Sequence, residues 1–349
     1  MEKVRFSRGS AFQHALDARV DAYFAERRRR DVPAMYAKTA IILGWFAGSW
    51  ALLVFAASTW WQAGACSISL GLAMAGIGMC VQHDANHGAY SERPWVNRLF
   101  GYTLDMIGLC SFIWRHKHNV IHHTYTNVRG VDYDIDFGVL ARLSPDEKPR
   151  AHFRYQHVYL WLLYGFLLPK LVLEDFAIFA TRRLGPHELP RMSLADKLVF
   201  VAGKLCLVTW AFVIPSLYHP AWLVVASFFV AAYVQGVIVA STFQIAHCVE
   251  EARLPGPPDD RTDFAIHQLE TTTSFRTSSR FLHWFVAGLD HQVEHHLFPK
   301  VCHLHYPALS RIVEETAREQ GLRYRRHPSV RHALASHTRH LKRLGRSTA

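Results

Sequence analysis

Charge is scarce in this chain, and the stretches that lack it are long and apolar. Charged residues make up 19% of the 349 positions and hydrophobic residues 50%. No charged residue occurs from Thr39 to Gln82, and Lys204 is the only one from Leu198 to Ala246. A helix needs about 20 apolar residues to cross a bilayer core. Each stretch is therefore long enough for two crossings, which argues against a soluble two-domain enzyme.

Each apolar stretch is interrupted once, and the interruptions predict where the helices end. Trp60 and Trp61 break the first stretch, and tryptophan is typical of the membrane interface. Pro220 breaks the second stretch, and proline ends a helix because it lacks an amide donor and clashes with the preceding turn. We therefore predict two helical hairpins with short loops. Their crossings lie near 39–58, 62–82, 198–217 and 221–243.

Lysine and arginine are missing from both hairpin tips and concentrated at the two ends of the chain. The positive-inside rule therefore places both termini in the cytosol, and we expect a bacterial inner membrane. The net charge of +11 fits attraction to anionic lipid or docking of an acidic protein. No basic-aromatic module accompanies the charge, which argues against a nucleic-acid partner.

Cysteine is also scarce, and this excludes several kinds of site. The six cysteines are scattered and form no CxxC pair, so they predict neither a disulfide framework nor a zinc knuckle. Glutamate followed three residues later by histidine, the ligand pattern of carboxylate di-iron bundles, is absent. A metal site in this chain must therefore depend on other residues.

Histidine is plentiful instead, in three short clusters beside the apolar stretches. His83 and His87 are spaced i, i+4, as are His118 and His122, and on a helix this spacing brings side chains about 5–6 Å apart. Adjacent histidines point in different directions, so a His-His pair can serve two metal ions. This favours a dinuclear site. The candidate ligands are His83, His87, His118, His122, His123, His247, His295 and His296.

The position of His247 links the clusters to the membrane topology. The first predicted hairpin ends at Gln82, just before His83, and the second ends near Phe243, just before His247. Both hairpins return to the same face, so His83, His87 and His247 are expected at one site on the membrane surface. Imidazole ligands suit iron, zinc, copper and nickel. The number of ligands and the apolar surroundings favour iron over zinc.

Several polar residues near the clusters are candidates for orienting the ligands. Carboxylates commonly hold the second ring nitrogen of a metal-bound histidine. Asp132, Asp134 and Asp136 follow the second cluster, although ordinary capping explains them nearly as well. The remaining candidates for this role are Asp84, Asn127, Asp290, His291 and Glu294.

The three clusters resemble the histidine boxes of the membrane fatty acid desaturase family. The boxes are His83-x3-His87, His118-x3-His122-His123 and Gln292-x2-His295-His296. The segments HNVIHHTYTN at 118–127 and QVEHHLFP at 292–299 carry the resemblance most specifically. Gln292 at the start of the third box resembles the front-end branch, which desaturates toward the carboxyl end of the acyl chain. The resemblance covers most of residues 40–325.

This resemblance implies an all-α integral membrane protein, in which two transmembrane helical hairpins carry a cytosolic helical cap that holds a histidine-ligated di-iron site. It divides the chain into a basic arm at 1–38, a desaturase domain at 39–325 and a basic tail at 326–349. It also implies two iron ions, with Gln292 among the ligands, and O2 as co-substrate. The product would be a cis double bond.

The expected partners follow from the same resemblance. The substrate would be a fatty acyl chain linked to coenzyme A, to a lipid or to a carrier protein, and membrane lipid would surround the protein. Only about 38 residues precede the first crossing, too few for a fused cytochrome b5 domain. Electrons would therefore come from a separate donor, such as a ferredoxin or a cytochrome b5-type protein.

The chain departs from the family pattern just before the third box. Relatives usually carry Gly-Gly-Leu-Asn before it, followed by an aromatic residue, whereas this chain has Ala287-Gly-Leu-Asp290-His291, and Ser274 stands where relatives often have asparagine. His291 could compete with Gln292 as a ligand. A hydroxylase or ketolase with the same di-iron site is the alternative function. A metal transporter is disfavoured, because Lys204 is the only charged residue inside the crossings.

Overall fold

The structure is a computed structural model that describes residues 6, 7, 9–259 and 261–347. It is mostly helical, and the helices run in chain order from α1 to α17. They are α1 (Ala11–Phe24), α2 (Pro33–Phe55), α3 (Trp60–Gly76), α4 (Gln82–His87), α5 (Pro94–Gly101), α6 (Thr103–Met106), α7 (Ser111–Trp114), α8 (Gln156–Leu163), α9 (Leu167–Thr181), α10 (Leu194–Val208), α11 (Ile214–Ser216), α12 (Ala221–His247), α13 (Phe264–Thr271), α14 (Arg280–Phe285), α15 (Gln292–Leu297), α16 (Tyr306–Glu319) and α17 (Val330–Arg346).

Shorter elements complete the backbone. Strands β1 (Arg183–Leu184) and β2 (His187–Glu188) pair antiparallel, and β3 (Ser274–Phe275) pairs in parallel with β4 (Arg326–His327). The π-helical segments are Ile77–Val81, Arg115–His122 and Thr209–Val213. The 3-10 turns are Tyr133–Ile135, Ala151–Tyr155, Tyr164–Phe166 and His303–His305.

Four helical runs in the described residues are long and apolar enough to cross a membrane, as the sequence predicts: Pro33–Phe55, Trp60–His87, Leu194–Ser216 and Ala221–His247. Two of them extend beyond the predicted ends and include His87 and His247. Hydropathy marks where side chains suit lipid, whereas backbone hydrogen bonding continues the helix through the polar residues that follow. The histidines are therefore part of the helices and not of the loops after them.

The chain forms two compact units. The first contains residues 1–31, 117–160 and 242–349, and the second contains residues 32–116 and 161–241. The two short interruptions predicted from Trp60 and Pro220 both lie in the second unit.

In the first unit, α1 contributes an apolar face to the core. Phe12, Leu16, Val20 and Phe24 recur every four residues and are buried against residues of α13, α15 and α16. Ser10 caps the helix, since its hydroxyl accepts a hydrogen bond from Gln13 N at 3.1 Å. Residues within the predicted basic arm therefore belong to the folded core of this unit.

In the second unit, small residues allow the long helices to approach closely. Ser69 on α3 accepts a hydrogen bond from Trp45 on α2 at 2.9 Å, and its hydroxyl lies 2.7 Å from that of Ser49. A Cβ atom at Gly71 would collide with the Ala231 carbonyl of α12. Small residues at contacts between apolar helices give close van der Waals packing, which compensates for the missing hydrophobic effect in lipid.

The isolated charge inside the third apolar helix has a partner. Lys204 on α10 donates to the Asp175 carboxylate of α9 and to the Gly108 carbonyl, both at 2.6 Å. Its ammonium also lies 5.0 Å from the centre of the Phe200 ring. Both charged side chains are largely buried, so each charge needs the other to offset the cost of its removal from water.

We predict that Lys204→Met destabilises the protein by about 3 kcal/mol, because it leaves the Asp175 carboxylate buried without its counter-charge. Thermal unfolding of the purified protein in detergent would measure the effect. The double variant Lys204→Met, Asp175→Leu should recover most of the lost stability, since it removes both charges. Equal stability losses in the single and double variants would contradict the ion-pair explanation.

Candidate metal centre

Six histidines of the first unit are buried together where three helical segments end or begin. His122 is the last residue of the π-helical segment Arg115–His122, and His247 is the last residue of α12. The ring centres of these two lie 4.7 Å apart, and each lies within 5.0 Å of the His296 ring centre on α15. The members of this histidine cluster are His118, His122, His123, His247, His295 and His296.

The histidine cluster contains two overlapping groups of three potential ligands. Nitrogens of His122, His247 and His296 lie within 4.8 Å of one another, as do those of His123, His295 and His296. His296 belongs to both groups. The rings of the adjacent residues His295 and His296 are inclined by 87°, so they face different directions. Six imidazoles would fill every position of a six-coordinate ion, so the cluster suits two metal ions that keep open positions better than one.

Three of the rings are oriented through Nδ1 by polar groups from distant segments. His122 donates to the Asp132 carboxylate at 2.9 Å, and His296 donates to the Gln268 side-chain oxygen at 3.0 Å. His295 Nδ1 lies 3.2 Å from the Tyr306 hydroxyl. A histidine whose Nδ1 is held in this way presents Nε2 for metal binding, and the held ring is a stronger ligand.

Among the six histidines, His122 shows most clearly that the cluster suits a bound cation. Its ring is fully buried, and among the described residues its Nε2 has no hydrogen-bond partner. Burial lowers the pKa of His122 and the Asp132 carboxylate raises it, and the net result is a raised pKa. The same negative charge would stabilise a metal ion at Nε2, which gives the buried nitrogen a partner.

Gln292 and Asn127 both contact His247. The Gln292 amide donates to His247 Nε2 at 2.9 Å, and the Asn127 amide donates to the His247 carbonyl at 2.8 Å. Asn127 adopts a left-handed backbone with φ of 58°, which asparagine tolerates better than most residues. Its backbone N–H donates to Asp132 at 2.8 Å, so one carboxylate orients His122 and fixes the loop that holds His247.

His83 and His87 belong to the second unit, where α4 brings them together. Their ring centres lie 4.7 Å apart, and each ring packs edge-on against Trp114. Asp84 is buried on the same helix, and its carboxylate lies 3.9 Å from His83 Nδ1, beyond hydrogen-bonding distance. The predicted i, i+4 pair is therefore formed within this unit.

The other three predicted orienting residues contact groups outside the histidine cluster. Asp290 accepts a hydrogen bond from His283 at 2.8 Å, and its second oxygen lies 3.2 Å from His291 Nδ1. Glu294 accepts from the Tyr324 hydroxyl at 3.0 Å, and burial raises the pKa of its carboxyl to about 7. Asp290 and His291, the two residues that depart from the family pattern, thus form a separate cluster with His283.

Gln268 and Tyr306 are site residues that the sequence analysis missed. Gln268 on α13 accepts from His296 and also donates to the His123 carbonyl at 2.8 Å, so it connects two of the histidine boxes. Tyr306 begins α16 and reaches His295. Both are separated from their histidines in sequence, and a lone glutamine or tyrosine carries no spacing signal that could have identified it.

The comparisons with known proteins agree with this geometry. A family model described as fatty acid desaturase matches residues 58–328, which contain all three histidine boxes. The sn-1 linoleoyl-lipid 6-desaturase of Synechocystis sp. is 36% identical over 357 aligned positions, covering 99% of each chain. That of Arthrospira platensis is 36% identical, covering 98% of this chain and 95% of its own. The acyl-lipid (8-3)-desaturase of Physcomitrium patens is 35% identical, covering 96% and 72%.

We predict that Asp132→Asn weakens metal binding about 10- to 100-fold, because it removes the carboxylate that orients His122. Competition with a chelator of known affinity, followed by metal analysis of the protein, would measure the change. Asp136→Asn is the matched control, since Asp136 is exposed in the same loop and, within the described part of the chain, accepts a hydrogen bond only from Gly138 N. Equal metal affinity in Asp132→Asn and the control would contradict the assigned role.

Proposed function

This chain belongs to the fatty acid desaturase family, and we propose that it is an acyl-lipid desaturase with a di-iron centre. It is a membrane fatty acyl desaturase of the front-end type, as its family and its curated relatives show. The finer points are our proposal: the topology, the metal ligands, the lipid-linked substrate and the electron donor. The observation that carries the proposed di-iron centre is the buried cluster of His122, His247 and His296, whose ligand atoms lie within 4.8 Å of one another.

We propose that the four apolar helices cross the membrane as two hairpins, with both termini and the histidines on the cytosolic side. The basic residues at both ends of the chain support this orientation. Exposed aromatic residues at the interhelical turns, Trp60, Trp61, Tyr218 and Trp222, support an interface at the opposite side. The basic arm would then end near residue 38, the desaturase domain would span 39–325, and the basic tail would begin at 326. For a bacterial chain the membrane would be the inner one.

We propose two iron ions as the cofactor. The six histidines of the cluster and Gln292 would contribute ligands, and a donor set rich in imidazole suits iron. His83 and His87 complete the proposed set on the strength of their i, i+4 spacing and their match to the first histidine box. When bound, the irons would supply the activation of O2 that removal of hydrogen from an unreactive methylene requires.

The chain's own residues would prepare this chemistry in three ways. Asp132, Gln268 and Tyr306 fix the directions of His122, His296 and His295 in advance, so that no reorganisation is needed during the reaction. Burial of the cluster excludes bulk water. Asp132 holds the Nδ1 proton of His122, which keeps Nε2 available as a ligand.

We propose that the acyl chain is linked to a lipid. Curated relatives that cover nearly the whole chain are named for linoleoyl-lipid and acyl-lipid substrates, and this supports a lipid over coenzyme A or a carrier protein. Overall, two adjacent methylenes, O2, two electrons and two protons give a cis double bond and two waters. The electrons would come from a separate carrier, such as a ferredoxin or a cytochrome b5-type protein.

We predict that expression in a bacterial host that lacks polyunsaturated lipids, supplied with linoleate, yields a new cis double bond on the carboxyl side of the existing ones. Gas chromatography–mass spectrometry of lipids separated by class would locate the bond and identify the carrier. His122→Ala should abolish the product, whereas His187→Ala, which changes a histidine outside the cluster, should not. A hydroxylated product would contradict desaturation, and a product confined to acyl-coenzyme A would contradict the lipid substrate.

A further inference from the structure

The end of α17 and the 3-10 turn Ala151–Tyr155 form a basic groove on the first unit. The groove holds about 1010 Å³ of empty space, including its open mouth. Gly345 allows the close approach of its two walls, because a Cβ atom there would collide with the Phe153 carbonyl. The lining residues of the basic groove are Pro149, Arg150, Ala151, Arg154, Gly345, Arg346 and Ser347.

Six exposed cations line the basic groove or lie within three positions of a lining residue in sequence, and among the described residues none of them forms an ion pair. Burial and then the nearby charges of Lys342 and Arg346 lower the pKa of His157. Such a concentration of one charge sign attracts an anionic partner. The six are Lys148, Arg150, Arg154, Lys342, Arg343 and Arg346.

Stabilisation of the helix end does not account for these charges. Cations near a helix carboxyl end commonly satisfy its free carbonyls. Here the buried side chain of Arg142 does so, since its guanidinium donates to the Ser347 carbonyl at 2.7 Å and to the Leu344 carbonyl at 3.3 Å. The exposed cations are therefore not needed as donors to these two carbonyls.

The packing of α17 also argues against a membrane surface as the partner. A helix that lies on a membrane needs an apolar face that can enter the lipid. On α17, Ala333, Leu341 and Leu344 are buried within the first unit, and Val330 and Leu334 are half-buried. The helix thus presents its charged residues without an accompanying apolar face, which suits an acidic protein surface better than lipid.

The helix α17 connects the basic groove to a proposed metal ligand. The fully buried His337 on this helix donates through Nδ1 to the Cys248 carbonyl at 2.6 Å. Cys248 follows His247 directly in the chain. Arg346 is nine residues beyond His337, which corresponds to about 14 Å along the helix axis. A protein docked in the basic groove would therefore be near the backbone that carries His247.

We propose that the basic groove is the docking site for an acidic, one-electron carrier protein that supplies this enzyme with electrons. The proposal rests on the proposed function, because only a reaction that consumes electrons needs such a partner. Each turnover takes two electrons, so two reduced carriers dock in succession and leave oxidised. Two protons accompany the electrons, and together with the two substrate hydrogens they convert O2 into two waters.

Binding to immobilised full-length protein in detergent tests the proposal directly, with an acidic [2Fe–2S] ferredoxin and the soluble domain of an acidic cytochrome b5 as probes. The test variant is Arg150→Gln, Arg154→Gln, Arg346→Gln. A first control, Lys300→Gln, Arg311→Gln, Arg331→Gln, removes three exposed charges outside the groove lining. A second control replaces the three groove arginines with lysine and so keeps the charge.

We expect the wild type and both controls to bind one of the two probes, and the groove variant to bind it at least about tenfold more weakly. The difference between wild type and groove variant should shrink as salt is raised. Failure of both probes to bind the wild type would overturn the proposal. So would equal binding by the groove variant, or an equal loss in the first control.

A parallel measurement separates lipid from protein as the partner. If the groove variant loses binding to phosphatidylglycerol vesicles but keeps its affinity for the carrier, the groove serves the membrane and the proposal is wrong. The binding assay needs no turnover, so it reports on the groove independently of the lipid analysis that tests the desaturase function. If the desaturase product is absent while groove-dependent binding is present, the proposed function fails and the docking site stands.

Discussion

The interior of the first unit is arranged around the burial of six imidazoles in mutual contact. Each ring carries two polar nitrogens, and a buried nitrogen without a partner costs free energy comparable to a lost hydrogen bond. The fold meets this demand with groups from separate parts of the chain: Asp132 holds His122, Gln268 holds His296 and Tyr306 holds His295. These contacts join the loop after Arg115–His122 to that segment, and they join α13 and α16 to α15. A metal ion is the natural partner for the nitrogens that these residues direct inward.

Much of the architecture could be predicted from the sequence. Helices that cross lipid leave long uncharged stretches, and helical geometry leaves a regular spacing of residues. The long uncharged stretches predicted four apolar helices, and the structure contains them. The i, i+4 spacing predicted that His83 and His87 lie side by side, and their rings are 4.7 Å apart. The π-helical geometry of Arg115–His122 was not predicted. It depends on backbone hydrogen bonds that residue type does not report.

The residues that orient the histidine rings were harder to predict, because the tertiary fold decides which polar groups reach the rings. Of the eight candidates taken from sequence proximity, Asp132 contacts His122 and Asn127 contacts His247, whereas Asp290, His291 and Glu294 contact other groups. Gln268 reaches His296 across 28 positions of the chain, and nothing around it in sequence marks the role.

The position of the basic tail in the fold was likewise not predicted from its sequence. Its charge was read as a sign of topology, but only the fold shows that α17 buries its apolar face and presents its cations beside Arg150 and Arg154.

The central claim is that the histidines hold two iron ions in one centre, and Mössbauer spectroscopy of protein expressed with ⁵⁷Fe, combined with metal quantification, tests it most directly. The account predicts two irons per chain and a spectrum of high-spin iron in nitrogen-rich coordination. Active protein that contains a single iron, or zinc in place of iron, would contradict it.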